Sequence, residues 1–206
     1  MKVLLINGSP HEKGCTYTAL SLIAGELKAQ GIDTEILHVG GQPVGGCIGC
    51  GGCRSGNGCV FGGVVNEAIE KAKTADAFVF GSPVHYASAA GNMASFMDRL
   101  AYAGGKYLAY KPAAICCSAR RAGTTTTLDQ LVKYPQFFQM PLVNGSYWAM
   151  VHGSNPEQVL QDAEGCAVMQ ELGRNMAWLL RCIEAGKAAG IDHPQNPPRP
   201  MTNYIR

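Results

Sequence analysis

Lys2-Val3-Leu4-Leu5-Ile6 runs directly into Asn7-Gly8-Ser9-Pro10-His11-Glu12-Lys13-Gly14-Cys15-Thr16, and this stretch decides the fold. The first five residues have the unbroken apolar character of a strand covered on both faces. After the turn, Leu20, Ile23, Ala24 and Leu27 repeat at helical spacing. A buried strand, a turn rich in glycine and hydroxyls, and a helix N-terminus together make an anion site. Backbone N–H groups and the helix dipole favour a phosphate there, and Ser9, Thr16 and Thr18 add hydroxyls. The turn carries neither G-x-G-x-x-G nor G-x-x-x-x-G-K-[ST], so it suits one phosphomonoester rather than a pyrophosphate or triphosphate.

Working outward, further short apolar runs fall at Thr34–Val39, Ala77–Phe80, Ala113–Cys117 and Met140–Val143. Helical stripes lie between them, at Val65, Ala68, Ile69 and Ala72, at Met93, Phe96, Met97 and Leu100, and at Leu128, Leu131 and Val132, the last stopping near Pro135. A final helix is expected from an Asn155 N-cap with Pro156 and Gln158 behind it. Its buried face would run through Val168, Leu172, Met176, Leu179 and Ile183 to Lys187, with Gly190 as the cap. Strand–helix alternation of this kind predicts an α/β domain over residues 1–190, a doubly wound parallel sheet, and a proline-rich tail over 191–206.

The 206 residues suffice for one ordinary core. A net charge of +2 without a basic stripe gives no case for nucleic acid or an anionic membrane, and no apolar run is long enough to span a bilayer. The start does not read as a secretory signal, so a cytoplasmic location is expected. There a disulfide framework is disfavoured, and the nine cysteines point towards metal or redox roles. No Ser–His–Asp arrangement or carboxylate pair supports hydrolysis, and no side chain is singled out as catalytic.

In a doubly wound sheet the ligand sits beyond the carboxyl ends of the strands. Three such ends carry unusual residues. One is the phosphate turn: Ser9, Pro10, His11, Gly14, Cys15, Thr16 and Thr18. The second is Ser82-Pro83-Val84-His85-Tyr86, expected to stay extended until a helix begins near Ala89; it offers backbone polar groups to a planar heterocycle and Tyr86 for stacking. The third is Ser118-Ala119-Arg120-Arg121-Ala122-Gly123, small and cationic. A guanidinium there would stabilise negative charge on a reduced ring. Taken singly, each loop equally suits a plain connection; the selection rests on all three lying at one end of one sheet.

These three motifs, in this order, resemble the flavodoxin-like NAD(P)H-dependent FMN reductases. Asn7-Gly8-Ser9-Pro10 with Gly14-Cys15-Thr16 looks like their phosphate loop. Ser82 to Tyr86, followed by Phe96-Met97-Asp98-Arg99-Leu100, looks like their isoalloxazine loop and the helix after it, and Ser118 to Gly123 stands where a third flavin loop belongs. The resemblance covers roughly residues 1–185 and implies a three-layer sandwich whose five-stranded parallel sheet has the order 2-1-3-4-5. It also implies FMN as cofactor, NAD(P)H as hydride donor, a small electron acceptor (quinone, flavin, nitroaromatic or metal), and a homodimer or homotetramer. Cys15 stands where Asn is usual, and His85 where an aromatic or aliphatic residue is common. A flavodoxin-type electron carrier is the alternative, disfavoured by the near-neutral charge.

Cys47, Cys50, Cys53 and Cys59 form C-x2-C-x2-C-x5-C among glycines. Four soft thiolates so spaced suit a [4Fe-4S] cube better than zinc. The spacing resembles that of iron–sulfur flavoproteins in the same family, which would pass electrons between cluster and FMN and could be fed by ferredoxin. Many relatives with this pattern carry no cluster, and the acidic residues common after the fourth cysteine are replaced here by Gly62-Gly63. A metal-free loop is therefore the preferred expectation and the cluster its alternative. The other cysteines, including Cys116, Cys117, Cys166 and Cys182, read as small buried thiols.

Overall fold

A computed structural model describes residues 1–203. Its strands and helices follow one another as β1 (Lys2–Asn7), α1 (Cys15–Ala29), β2 (Asp33–His38), α2 (Val64–Thr74), β3 (Ala77–His85), β4 (Ser88–Ala89), α3 (Gly91–Gly104), β5 (Ala113–Ala119), α4 (Thr124–Phe137), β6 (Met150–His152), α5 (Pro156–Val159) and α6 (Ala163–Ala188). Short 3-10 turns at Gly52–Ser55 and Gly105–Tyr107 complete the regular structure.

The main sheet has the order β2-β1-β3-β5-β6, and every pairing along it is parallel. Two-residue β4 lies off this path, antiparallel to the end of β3. With β4 set aside, the five parallel strands take the expected order. Alternate residues of each strand serve opposite faces, as the two-residue period requires. Val3, Leu5, Val79, Ala114 and Cys116 pack under α1 and α6, while Leu4, Ile6, Phe78, Phe80 and Ile115 pack under α2, α3 and α4. The predicted stripes on α1, α2 and α3 are all buried. Burying each large aliphatic side chain contributes about 1.5–3 kcal/mol, so β1 alone anchors both layers.

Two expectations need correction. The fifth strand is Met150–His152, not Met140–Val143. The earlier run does reach β5, through a single Ala113–Leu142 bridge and the Val143 N–H to Ala113 C=O bond of 2.8 Å. It then leaves at Asn144, and the chain returns when the Cys117 N–H donates to Ala149 C=O at 3.0 Å. The edge of the sheet is thus covered in two pieces, and apolarity alone picked the wrong one.

The final helix is two. Asn155 caps α5, accepting from the Gln158 N–H at 2.9 Å, but the chain breaks after Val159 and Asp162 caps α6 by accepting from the Gly165 N–H at 3.0 Å. The two N-caps lie seven residues apart, and the sequence pattern merges the helices that they begin. Helix α4 ends at Phe137, near Pro135 as expected.

Beyond α6, residues 191–203 have no regular structure, and His193 stacks on Tyr110 with ring centroids 4.5 Å apart. The rest of the expected tail, residues 204–206, lies outside the described residues. No helix among the described residues is long and apolar enough to cross a membrane.

Candidate functional site

The three loops meet at the carboxyl ends of β1, β3 and β5. Thr16 Oγ1 and Ser118 Oγ hydrogen-bond at 2.8 Å, joining the first loop to the third, and both residues are buried. Pro83 stands beside Ser118 in the β3–β5 register. Gly123 has φ +94°, and a Cβ there would lie 2.7 Å from Ala87 Cα, so the third loop also seats directly on the second. Only glycine allows that approach.

The first loop is built from Asn7, which sequence reasoning passed over as a site residue. Its buried side chain accepts from the Ser9 N–H at 3.1 Å and donates to the Glu12 carbonyl at 2.9 Å, an Asx turn that shapes the whole segment. Ser9 Oγ accepts from the His11 N–H at 3.1 Å, and the Ser9 carbonyl meets His38 Nε2 at 2.8 Å. Gly14 is the N-cap of α1 and offers no side chain to the first-turn amides, and no acidic residue occupies that turn. A helix of fifteen residues therefore presents open N–H groups and the positive end of its dipole at this turn. Pro10 and His11 are exposed beside it. Cys15 points elsewhere, its sulfur 3.6 Å from the Gly153 carbonyl, and burial pushes its thiol pKa up. Thr18 donates back to the Gly14 carbonyl at 3.2 Å, so its hydroxyl is engaged within α1.

The second loop is extended as expected as far as His85, but it does not stay so up to the helix. Strand β3 continues to His85, turns at Tyr86-Ala87 and returns as β4. Both turn residues have positive φ, 51° and 58°, a conformation that two-residue hairpins demand and that glycine or asparagine normally supplies. The turn carries Tyr86 fully into solvent, with exposed His85 beside it; Val84 is half-buried. Ser82, by contrast, faces inward. Its hydroxyl donates to the Pro83 carbonyl at 2.9 Å and accepts from the Ala90 N–H at 3.0 Å, tying the hairpin to the start of α3. In the third loop Ser118 and Ala119 are buried, while Arg120 and Arg121 are exposed and make no ion pair among the described residues.

Cys47, Cys50, Cys53 and Cys59 all line one cavity of about 320 Å³, with Arg99, Tyr102 and Phe61 on its walls. Left-handed glycines at 49, 51, 56 and 58 curl the backbone around it. All nine cysteines are free thiols. Among the described residues no three ligand side chains converge tightly enough for a single ion. A cube spaces its thiolates more widely, since each binds a different iron, so the donor set fits a cluster better than zinc. Cys59 is the most firmly held, because Asn66 clips its backbone on both sides: the Cys59 N–H donates to Oδ1 at 2.8 Å and Nδ2 donates to the Cys59 carbonyl at 3.0 Å. Of the other cysteines, Cys116 and Cys117 are buried as expected, but Cys182 is exposed.

The sequence model of the NADPH-dependent FMN reductase family matches residues 1–155. An iron-sulfur flavoprotein of Methanocaldococcus jannaschii is 27% identical over 192 residues, covering 89% of this chain and 100% of that protein. One from Archaeoglobus fulgidus is 35% identical over 99 residues, 48% of each chain. Among solved structures, RosB with the bound intermediate 8-demethyl-8-formylriboflavin-5'-phosphate superposes with a TM-score of 0.72 at 14% identity, covering 100% of this chain and 96% of that one. The apo NADH:FMN oxidoreductase EMOB superposes with a TM-score of 0.61 at 16% identity, covering 88% and 89%. Sharing the family's sequence pattern over three quarters of its length and the flavodoxin-like fold throughout, the chain belongs to the NADPH-dependent FMN reductase family, and is a flavoprotein oxidoreductase.

Proposed function

We propose that the protein takes a hydride from NAD(P)H and passes the electrons to a second, small acceptor, with FMN held across the three loops. The observation that carries this reading is their convergence, clasped by the Thr16–Ser118 hydrogen bond at the open N-terminus of α1. The first-turn amides of α1, with Ser9 and Thr16, would hold the phosphate as charge-assisted donors. The hairpin from Pro83 to Tyr86 would meet the ring edge with backbone groups. Arg120 and Arg121 are free to face an anionic ring or a nucleotide phosphate. Bound FMN supplies the electron-transfer chemistry; the protein supplies position and electrostatics.

An electron-accepting face must stay accessible for both substrates, and the exposed Tyr86, His85 and Arg120 border such a face. Turnover is therefore ping-pong. Rapid mixing of the oxidised holoprotein with NADPH, and separately with NADH, should bleach the flavin within the turnover time. Reduction far slower than turnover with both donors contradicts the hydride step and returns the protein to the class of electron carriers. The setting is the cytoplasm, where nine thiols stay reduced.

A second reading, favoured by the shared cavity of the four cysteines and by the names of the curated relatives, adds a [4Fe-4S] cluster. Cys47, Cys50, Cys53 and Cys59 would be its ligands, making it a one-electron port. Iron and acid-labile sulfide per FMN in anaerobically purified protein decide it: about four of each supports the cluster, and neither returns the loop to the metal-free state.

A further inference from the structure

The wall of the cysteine cavity holds a buried cation that no carboxylate among the described residues neutralises. Arg99 lies on α3, 6% exposed. Its Nε donates to Cys59 Sγ at 3.2 Å, its Nη1 to the Gly45 carbonyl at 3.4 Å and its Nη2 to the Gly62 carbonyl at 3.1 Å. The guanidinium carbon sits 5.4 Å from the centre of the Phe61 ring. No ion pair among the described residues includes Arg99. Its neighbour Asp98 is engaged elsewhere, accepting from the Tyr134 hydroxyl at 2.6 Å.

A buried guanidinium without a counter-charge is costly, and carbonyls and a ring face offset only part of that cost. Its hydrogen bonds reach the chain before the first cysteine, the last cysteine itself and the chain after it. One side chain thus staples both ends of the cysteine loop. The negative charge it lacks is the one four ligating thiolates would bring.

We propose that Arg99 is the positioning and charge-compensating residue of an anionic iron–thiolate centre at Cys47, Cys50, Cys53 and Cys59. This rests on the cluster reading above. Arg99 would fix Cys59 from the side-chain end while Asn66 fixes it from the backbone. Its N–H···S bond and its charge draw electron density from the ligand sulfur. Both favour the more negative, reduced form of the centre and so raise its potential. Lysine at the same place keeps the charge but loses the planar fork that reaches sulfur and two carbonyls at once.

The test compares wild type with Arg99→Gln and Arg99→Lys, all purified anaerobically with FMN bound. Iron and sulfide per chain, the cluster midpoint from a redox titration followed by electron paramagnetic resonance, and FMN per chain as the check on folding are measured. Arg99→Gln should retain iron about 10- to 100-fold more weakly, and its residual cluster should have a lower midpoint. Arg99→Lys should keep the cluster, also at a lower midpoint, and it carries the test if the glutamine variant arrives without flavin. A merely structural arginine would change occupancy and leave the midpoint in place, which overturns the proposal. Wild type with iron and sulfide but variants of unchanged midpoint overturns the role of Arg99 alone. Wild type with neither iron nor sulfide overturns the cluster reading and this proposal together.

Discussion

The Ser82 hydroxyl is spent twice within the fold, donating to Pro83 and accepting from the Ala90 amide, so it organises the second loop from inside. Ser82→Ala leaves the Ala90 N–H buried without an acceptor and should cost about 1–3 kcal/mol in denaturant unfolding. Thr16 differs because its hydroxyl meets Ser118 and joins the first loop to the third. Thr16→Val should weaken FMN about 10- to 100-fold in fluorescence titration, the range for one hydrogen bond to a charged group. Sequence alone did not separate these roles, because a serine after a strand looks the same whether it faces ligand or helix. Arg99 left a fainter trace: it falls three residues after Phe96, beside the apolar stripe of α3, where a charge calls for a reason. Thiols divide as sharply. Burial pushes the Cys117 pKa up to about 12 and that of Cys116 higher still. At pH 8 both stay protonated, so Cys182 should alkylate in the folded protein and these two only after unfolding, as peptide mass mapping will report.

At the scale of elements, the β3–β4 hairpin is the feature whose form departs most from expectation. A two-residue turn of Tyr86-Ala87 lacks the usual glycine or asparagine, so nothing in the sequence announces it. Gly123 locks it in place from the third loop. Gly123→Ala meets both a positive φ and the Ala87 Cα at 2.7 Å, and should destabilise the fold by about 1–3 kcal/mol while loosening FMN binding. Unchanged stability would mean that the two loops do not depend on each other. The strands β1, β3 and β5 were legible because each is apolar on both faces, and β2, more polar at the sheet edge, through Ile36, Leu37 and the Val39 that follows it. Strand β6 was not, since three residues at a sheet edge carry too little pattern, and the more apolar Met140–Val143 competed for the assignment.

Across the whole molecule, charge is sparse and placed at the seams. Glu35 on β2 takes both Lys2 of β1 and Lys71 of α2 at 2.6 Å. Its hydrogen bonds, first to Lys2 and then to Lys71, hold its carboxyl pKa below the ordinary value of 4.5. A depressed pKa contributes stability that is complete above the unfolded value and disappears as pH falls through the folded one. Glu35→Gln should therefore flatten the stability profile below about pH 4.5 and leave its shape at pH 6–8 unchanged. The parallel sheet followed from strand–helix alternation, and the order of its strands from the family resemblance. How the loops interlock did not, because it depends on contacts between residues a hundred positions apart, such as Thr16 and Ser118. The account as a whole depends on one claim, that this interlocked crest grips a flavin by its single phosphate. Titrating flavin-stripped protein with FMN and with riboflavin tests it most directly. The account predicts one FMN per chain, bound at least about tenfold more tightly than riboflavin. Equal affinity for the two, or no binding of either, would contradict it.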